Sequence, residues 1–353
     1  MADDITVCAF NRRGNLLAGG CANGVVVVWD FDTHGVAQEL LGHTEKVTAV
    51  SWTRSSRRLL SSSSEGKLIL WDVLTATATQ TVVLDGEINH AALHPRRRAL
   101  ALACVSSGAA AGQAFLVDLG TGAAPSPQPL VLGGASEGVN ATFACFSKEG
   151  DQTLVGTSKG AVHILDTATK AELKCVQLGG SSIKSLYLAK DGKSFLANSA
   201  DHVIRARSLE KILAGEPDKP RELRDVVNRV QWAHASFTSD SEHVVGTANS
   251  ATDHLLYIWD MHGHLTTILG QGEKVKDGAL HFACHPTRPI LAVCSRSGSV
   301  YIWTKKYSEN WSAFAPDFKE LEENEEYDER EDEFDIKPVR LRTAHSLALS
   351  FSL

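Results

Sequence analysis

Gly24-Val25-Val26-Val27-Val28-Trp29-Asp30 and, forty-two residues on, Gly66-Lys67-Leu68-Ile69-Leu70-Trp71-Asp72 decide the fold. Each is a glycine turn followed by a run of apolar residues that closes on Trp-Asp, as a fully buried strand between two turns would. Two further strand-like runs precede each: Val7 to Phe10 and Leu16 to Gly20 in the first copy, Val47 to Trp52 and Leu59 to Ser63 in the second. With the Trp position as a ruler, the unit recurs at Trp29, Trp71, Val117, Leu165, Arg207, Trp259 and Trp303, with gaps of 42, 46, 48, 42, 52 and 44 residues. A period near 40–50 residues is that of a four-stranded propeller blade. The chain is therefore read as all-β, a seven-bladed β-propeller over residues 1–308.

Gly42-His43 ahead of the second unit, with Ser61 and Trp71 inside it, resembles the buried His, Ser and Trp network of a WD repeat. The acid expected to complete that network is here the longer Glu65, so an imperfect network is expected. The corresponding turn elsewhere holds Asn23, Lys159, Asp201, Asp253 and Ser297, and the other units lack the Gly-His pair, which makes the repeats divergent. Closure of the ring is the open question, with Met1 to Thr6 or Asn310 to Phe314 as the segments expected to cover the last edge. The run Ser106 to Gly112 and Pro125-Ser126-Pro127-Gln128-Pro129 read as flexible surface loops of the third unit. A short helical turn is expected at Leu209 to Leu213, followed by a loop over Pro217 to Pro220.

Composition is that of an ordinary globular protein, 43% hydrophobic and 22% charged. The charge is not spread evenly. Asp317 to Asp335 holds twelve acidic and two basic residues, net −10, whereas the whole chain carries −7 and the stretch after Ile336 carries +3, leaving residues 1–316 neutral. Such a run is solvated unless a basic surface receives it. Seven scattered cysteines without a C-x-x-C pair argue against a disulfide framework. No positively charged leader with an apolar core opens the sequence and no apolar run approaches about 18 residues, so an intracellular protein without membrane contact is expected.

No G-x-x-x-x-G-K-[ST] loop, H-E-x-x-H, G-x-S-x-G elbow or Rossmann glycine pattern is present, so no enzyme, cofactor or metal site is expected. The pairs His90 and His94, His262 and His264, and His281 and His285 read as turn or core histidines, lacking a nearby acidic third ligand. Arg54, Arg57 and Arg58 with Arg96, Arg97 and Arg98 lie on inter-strand turns. They form a candidate nucleic-acid contact, weighed against plain solvated turn residues because no aromatic interleaving accompanies them.

The segment after the last unit, ENWSAFAPDFKELEENEEYDEREDEFDI (residues 309–336), closely resembles its counterpart in the retinoblastoma-binding protein 5 family, the WD-repeat subunit of COMPASS/MLL histone methyltransferases. The likeness extends through FNRRGNLLAGGCANGVVVVWDF, DVVNRVQW and LLYIWD. It implies a non-catalytic nuclear scaffold that supports methylation of histone H3 lysine 4. Its implied partners are a SET-domain methyltransferase, a SPRY-domain subunit, another WD-repeat core subunit and, as a candidate contact, the nucleosome or DNA. By that resemblance Glu325, Glu326, Tyr327, Asp328, Glu329, Arg330 and Glu331 form the activating stretch, and Glu333, Phe334, Asp335 and Ile336 begin the SPRY-binding stretch. Residues 309–318 are expected to tether onto the propeller, 319–336 to dock partners and 337–353 to form an atypical disordered tail. After Ile336 the family stays acidic, whereas this chain turns to Lys337-Pro338-Val339-Arg340-Leu341-Arg342, which weakens the SPRY expectation. The rival reading is a WD-repeat adaptor of an unrelated assembly such as a ubiquitin ligase, because propellers host many functions.

Overall fold

The apolar runs become strands and the Gly, Asn and Asp clusters become the turns between them. The computed structural model describes residues 4–120, 126–132, 139–225, 227–270 and 277–305. Within these, 27 strands form seven antiparallel sheets, six four-stranded and one three-stranded, each from one continuous stretch of chain. All seven ruler positions fall on the third strand of their sheet. Each also has an equivalent partner on the second strand, from Leu17 opposite Trp29 and Leu59 opposite Trp71 to Leu291 opposite Trp303. First strands of neighbouring blades touch one another, as Ile5–Phe10 does Val47–Trp52, so these strands line the centre. Every joint between neighbouring blades has its own apolar cluster, for example Leu60, Leu68 and Leu70 against Ile88, Ala91 and Leu93. Stability is thus distributed around the ring rather than gathered in one core.

Blade 2 contains the network anticipated from Gly42-His43, and it is complete. His43 Nδ1 lies 2.8 Å from Glu65 Oε1, its Nε2 lies 2.7 Å from Ser61 Oγ, and Trp71 Nε1 donates to the same hydroxyl at 2.8 Å. The expectation of an imperfect network is corrected: the longer glutamate reaches the ring and also receives Lys67 Nζ at 2.8 Å and the Thr44 hydroxyl at 2.5 Å. Burial pushes the Glu65 carboxyl up, but these hydrogen bonds outweigh it and hold the group at about 2.

Pro127–Pro129, read from sequence as part of a flexible loop, is instead the outer strand of blade 3, pairing Phe115 with Pro129 and Val117 with Pro127. Proline is tolerated there because an edge strand needs no N–H on its solvent side. The helical turn does form, over Leu209–Ala214, with Ser208 capping its start and Gly215 at φ 77° closing it.

Blade 7 closes on blade 1 by apposition. Of the Met1 to Thr6 segment expected to cover the last edge, Ile5 and Thr6 instead belong to the first strand of blade 1, while residues 1–3, like residues 310–314, lie outside the described residues. Ile5, Cys8, Leu17, Cys21, Val27 and Phe31 pack on Ala292 and Cys294, and Ile5 N–H donates to Gly298 O at 3.3 Å. His285 Nε2 lies 3.2 Å from Gly14 O across this seam. The joint between blades 3 and 4 repeats the device, with His94 Nε2 3.1 Å from Gly150 O. Both glycines have positive φ (84° and 86°), and a Cβ on either would stand 2.2 Å from the imidazole, so no other residue fits.

Candidate partner-binding surface

The turn joining the first and second strands is built alike in most blades. A side chain at its first position accepts hydrogen bonds from the turn's own N–H groups. Asn11 Oδ1 receives Gly14 N–H at 2.8 Å, His94 Nδ1 receives Arg97 N–H at 2.8 Å, Ser147 Oγ receives Gln152 N–H at 3.1 Å and His285 Nδ1 receives Arg288 N–H at 2.9 Å. Thr53 and Thr238 act in the same way through their hydroxyls. His94 and His285, each followed by proline, are turn caps and inter-blade clasps at once. Burial lowers the pKa of both rings, keeping them in the neutral form that accepts at one nitrogen and donates at the other.

With the turns fixed, the residues that follow the caps are held in place beside one another, and several of them are basic. Arg12, Arg54, Arg96 and Lys148, from four successive blades, line one groove of about 580 Å³ with Phe10 and Trp52. Arg98 joins Arg12, Arg54 and Arg96 in an adjoining recess. Arg96 is paired with Glu149, which reduces the local excess of positive charge. Of the six arginines singled out from sequence, the structure therefore brings Arg54, Arg96 and Arg98 together. Arg57 is engaged with Asp72 at 3.0 Å, and Arg58 and Arg97 do not line the groove. Sequence reading missed Arg12, Lys148 and the nearby aromatics because it weighed clusters along the chain. The signal was available in the shared repeat position of the basic residues: Arg12, Arg54 and Lys148 follow their caps by one residue and Arg96 follows His94 by two.

The central cavity of about 380 Å³ behaves differently. It is lined by His90, Tyr187, His234, His281, Lys184 and Cys8 among others. Burial, followed by the charge of His281, holds His90 down at about 3, and burial likewise drives His234 well below its ordinary range. His90 stacks on Phe143 with ring centroids 3.9 Å apart, while His234 Nε2 meets Tyr187 OH at 2.8 Å. With these two histidines neutral, neither brings a positive charge to the interior. His264 sits on a turn beside Asp260 at 3.1 Å, far more exposed. The partner-docking stretch, Glu325 to Glu331 with Glu333 to Ile336, and the segments 309–318 and 337–353 lie outside the described residues.

Seven blades with a His-Ser-Trp network in one of them define a WD-repeat β-propeller. The family model "WD domain, G-beta repeat" matches residues 2–30, 36–72 and 264–304. The chain is 38% identical over 93% of its length to Retinoblastoma-binding protein 5 homolog of Drosophila melanogaster, and spans 66% of that protein. It is 36% identical over 94% of its length to Set1 complex component swd1 of Schizosaccharomyces pombe, covering 83% of it. The crystal structure of the Cps50 (Swd1) β-propeller domain of Myceliophteria thermophila superposes with a TM-score of 0.78 at 31% identity, over 86% of this chain and 97% of that one. The chain belongs to the retinoblastoma-binding protein 5/Swd1 family.

Proposed function

We propose that this chain is a non-catalytic, nuclear scaffold subunit of a COMPASS/MLL-type assembly, supporting methylation of histone H3 lysine 4 by a SET-domain enzyme. The observation that carries the reading is the 36% identity, over nearly the whole chain, to a protein named as a Set1 complex component. The acidic run beyond the propeller adds support. Tyr327, Phe334 and Ile336 are apolar anchors among carboxylates, a pattern suited to a segment that orders on a basic partner. In this reading Glu325 to Glu331 act on the SET-domain subunit, and Glu333 to Ile336 engage the SPRY-domain subunit, with affinity reduced by the basic residues that follow. Another WD-repeat subunit completes the core.

The test is reconstitution with SET, SPRY and WD-repeat subunits, comparing the native chain with a Phe334→Ala/Ile336→Ala double variant. Co-purification and methylation are expected to drop by tenfold or more, on the order of 1.4 kcal/mol or above for removal of two anchors. Unchanged assembly and turnover would remove the docking role, and failure of even the native chain to join a SET protein would favour the unrelated-adaptor reading.

The basic groove supports a second, subsidiary contact with nucleic-acid phosphates, favoured by Arg12, Arg54, Arg96 and Lys148 meeting in one recess beside Trp52. Replacing Arg54 and Arg96 by Ala should weaken duplex DNA binding equally across sequences and flatten its salt dependence, the slope falling by roughly 1 for each phosphate no longer neutralised. A salt slope identical to that of the native chain would refute it.

A further inference from the structure

On the outer part of blade 4, His163 on the third strand (Ala161–Asp166) stands directly opposite Cys175 on the outer strand (Glu172–Gln177). A register shift between Ile164 and Leu165 brings Glu172 to the same imidazole, although it is three residues from Cys175. Glu172 Oε1 lies 3.1 Å from His163 Nδ1, and Cys175 Sγ lies 3.8 Å from Nε2. A carboxylate only accepts, so Nδ1 carries the proton and the Nε2 lone pair faces the sulfur. The second Glu172 oxygen is buried and has no hydrogen-bond partner.

The propeller repeat does not call for this group. The equivalent third-strand positions are Val27, Ile69, Phe115, Arg205, Tyr257 and Tyr301, and their outer-strand partners, where paired, are Glu39, Thr81, Pro129, Glu222 and Ile268. Arg205 opposite Glu222 shows that the position tolerates paired polar groups, but among the described residues only blade 4 places imidazole against thiol there. We propose that His163 Nε2 and Cys175 Sγ bind a thiophilic divalent cation of the Zn(II) class, with Glu172 holding the ring in the ligating tautomer. Tetrahedral zinc with bonds of about 2.3 Å to sulfur and about 2.0 Å to nitrogen separates those two donors by roughly 3.5 Å, so a closing movement of about 0.3 Å suffices. The carboxylate behind the ring is the usual outer partner of a metal-bound histidine, and its unpartnered oxygen adds negative charge beside the cation. Two coordination positions stay with water, because the sulfur is exposed on the outer strand. Burial, then the charge of Glu172, raise the Cys175 pKa, so the thiol keeps its proton until a cation displaces it. Binding therefore releases one proton per ion.

The test uses the full chain freed of metal, titrated with Co(II) and then Zn(II). One equivalent of Co(II) should give a thiolate-to-metal charge-transfer band in the near ultraviolet, and Zn(II) should abolish it by displacement. Affinity should rise about tenfold per pH unit while one proton leaves per ion. Cys175→Ser should remove the band, and Glu172→Gln should weaken Zn(II) binding about 10–100-fold with the fold intact by near-UV circular dichroism. No band at stoichiometric Co(II), a band that survives Cys175→Ser, or Zn(II) affinity unaltered by Glu172→Gln would each overturn the proposal.

Discussion

Shortening Glu65 to Asp, the substitution that would bring blade 2 closer to a common WD repeat, should destabilise this protein. The carboxylate would retract by about 1.5 Å, one bond length along the side chain. Its contacts with His43 Nδ1 at 2.8 Å, Lys67 Nζ at 2.8 Å and the Thr44 hydroxyl at 2.5 Å then cannot all be kept without backbone movement. Thr44 and Lys67 are partly solvated and will turn to water, so giving up their bonds is largely offset. His43 is different, since its side chain is fully buried and its other nitrogen is committed to Ser61. An unpartnered buried Nδ1–H costs about 1–3 kcal/mol, and loosening the Ser61–Trp71 end of the network adds a fraction more. A total of about 2 kcal/mol follows, read as a lower urea midpoint for unfolding followed by tryptophan fluorescence, with Trp71 as the local reporter. Glu65→Gln keeps the reach and an acceptor oxygen, so it should cost roughly half as much. If Glu65→Asp matched or exceeded the native midpoint, the claim that this backbone is set for the longer acid would be wrong.

The paired clasps allow a matched comparison: His285→Ala at the closing seam and His94→Ala between blades 3 and 4 each remove a buried inter-blade hydrogen bond and a turn cap. Each should cost about 2–3 kcal/mol, and a value below about 0.5 kcal/mol for His285→Ala in urea unfolding would deny the seam its clasp. Acid should destabilise the propeller through its histidines. His43, His90, His94, His234 and His285 all sit below their ordinary pKa, burial being the leading cause, so below about pH 6.5 the unfolded chain binds protons that the folded chain refuses. Their contribution is complete above pH 6.5 and declines as pH falls toward about 3, where His90 finally protonates; Glu65 and Asp260, both held at about 2, extend the decline below about pH 4. Urea midpoints measured at about pH 8, 6.5, 5 and 4 should fall in that order below 6.5, and a flat profile would contradict the assignment.

The blade count was legible in the sequence because the third strands of blades 1 to 6 are largely buried and mostly apolar, even where Val117 or Leu165 replaces the tryptophan, and the more exposed third strand of blade 7 keeps its Trp303. Arg207 kept its place in the series by ion pairing with Asp218 at 2.6 Å, a compensation that hydropathy alone does not reveal. Pro127–Pro129 was misjudged because turn-like composition dominates the reading, whereas an edge strand asks only for main-chain pairing on one side. The basic groove was half legible. Arg54 and Arg96 were found from local runs, but Arg12 and Lys148 join them only through the ring, across separations that no window along the chain connects. The same limit hid His163 and Cys175, twelve residues apart in sequence yet directly opposed across two strands.

The seam between blades 1 and 7 also bears on how such a ring is made. Every sheet pairs strands that are close in sequence, so each blade is complete soon after its own residues are available. Among the described residues the seam joins the most remote positions, such as Gly14 and His285, 271 apart. The entropy given up in bringing such distant points together grows only logarithmically with separation, so one late event of this kind is tolerable without exchanging a strand. The reverse step is equally local: parting the His285 clasp and its apolar cluster would open the ring while leaving all the sheets intact. Such an opening would be a sub-global excursion rather than global unfolding, at the cost of the clasp and of the buried cluster beside it.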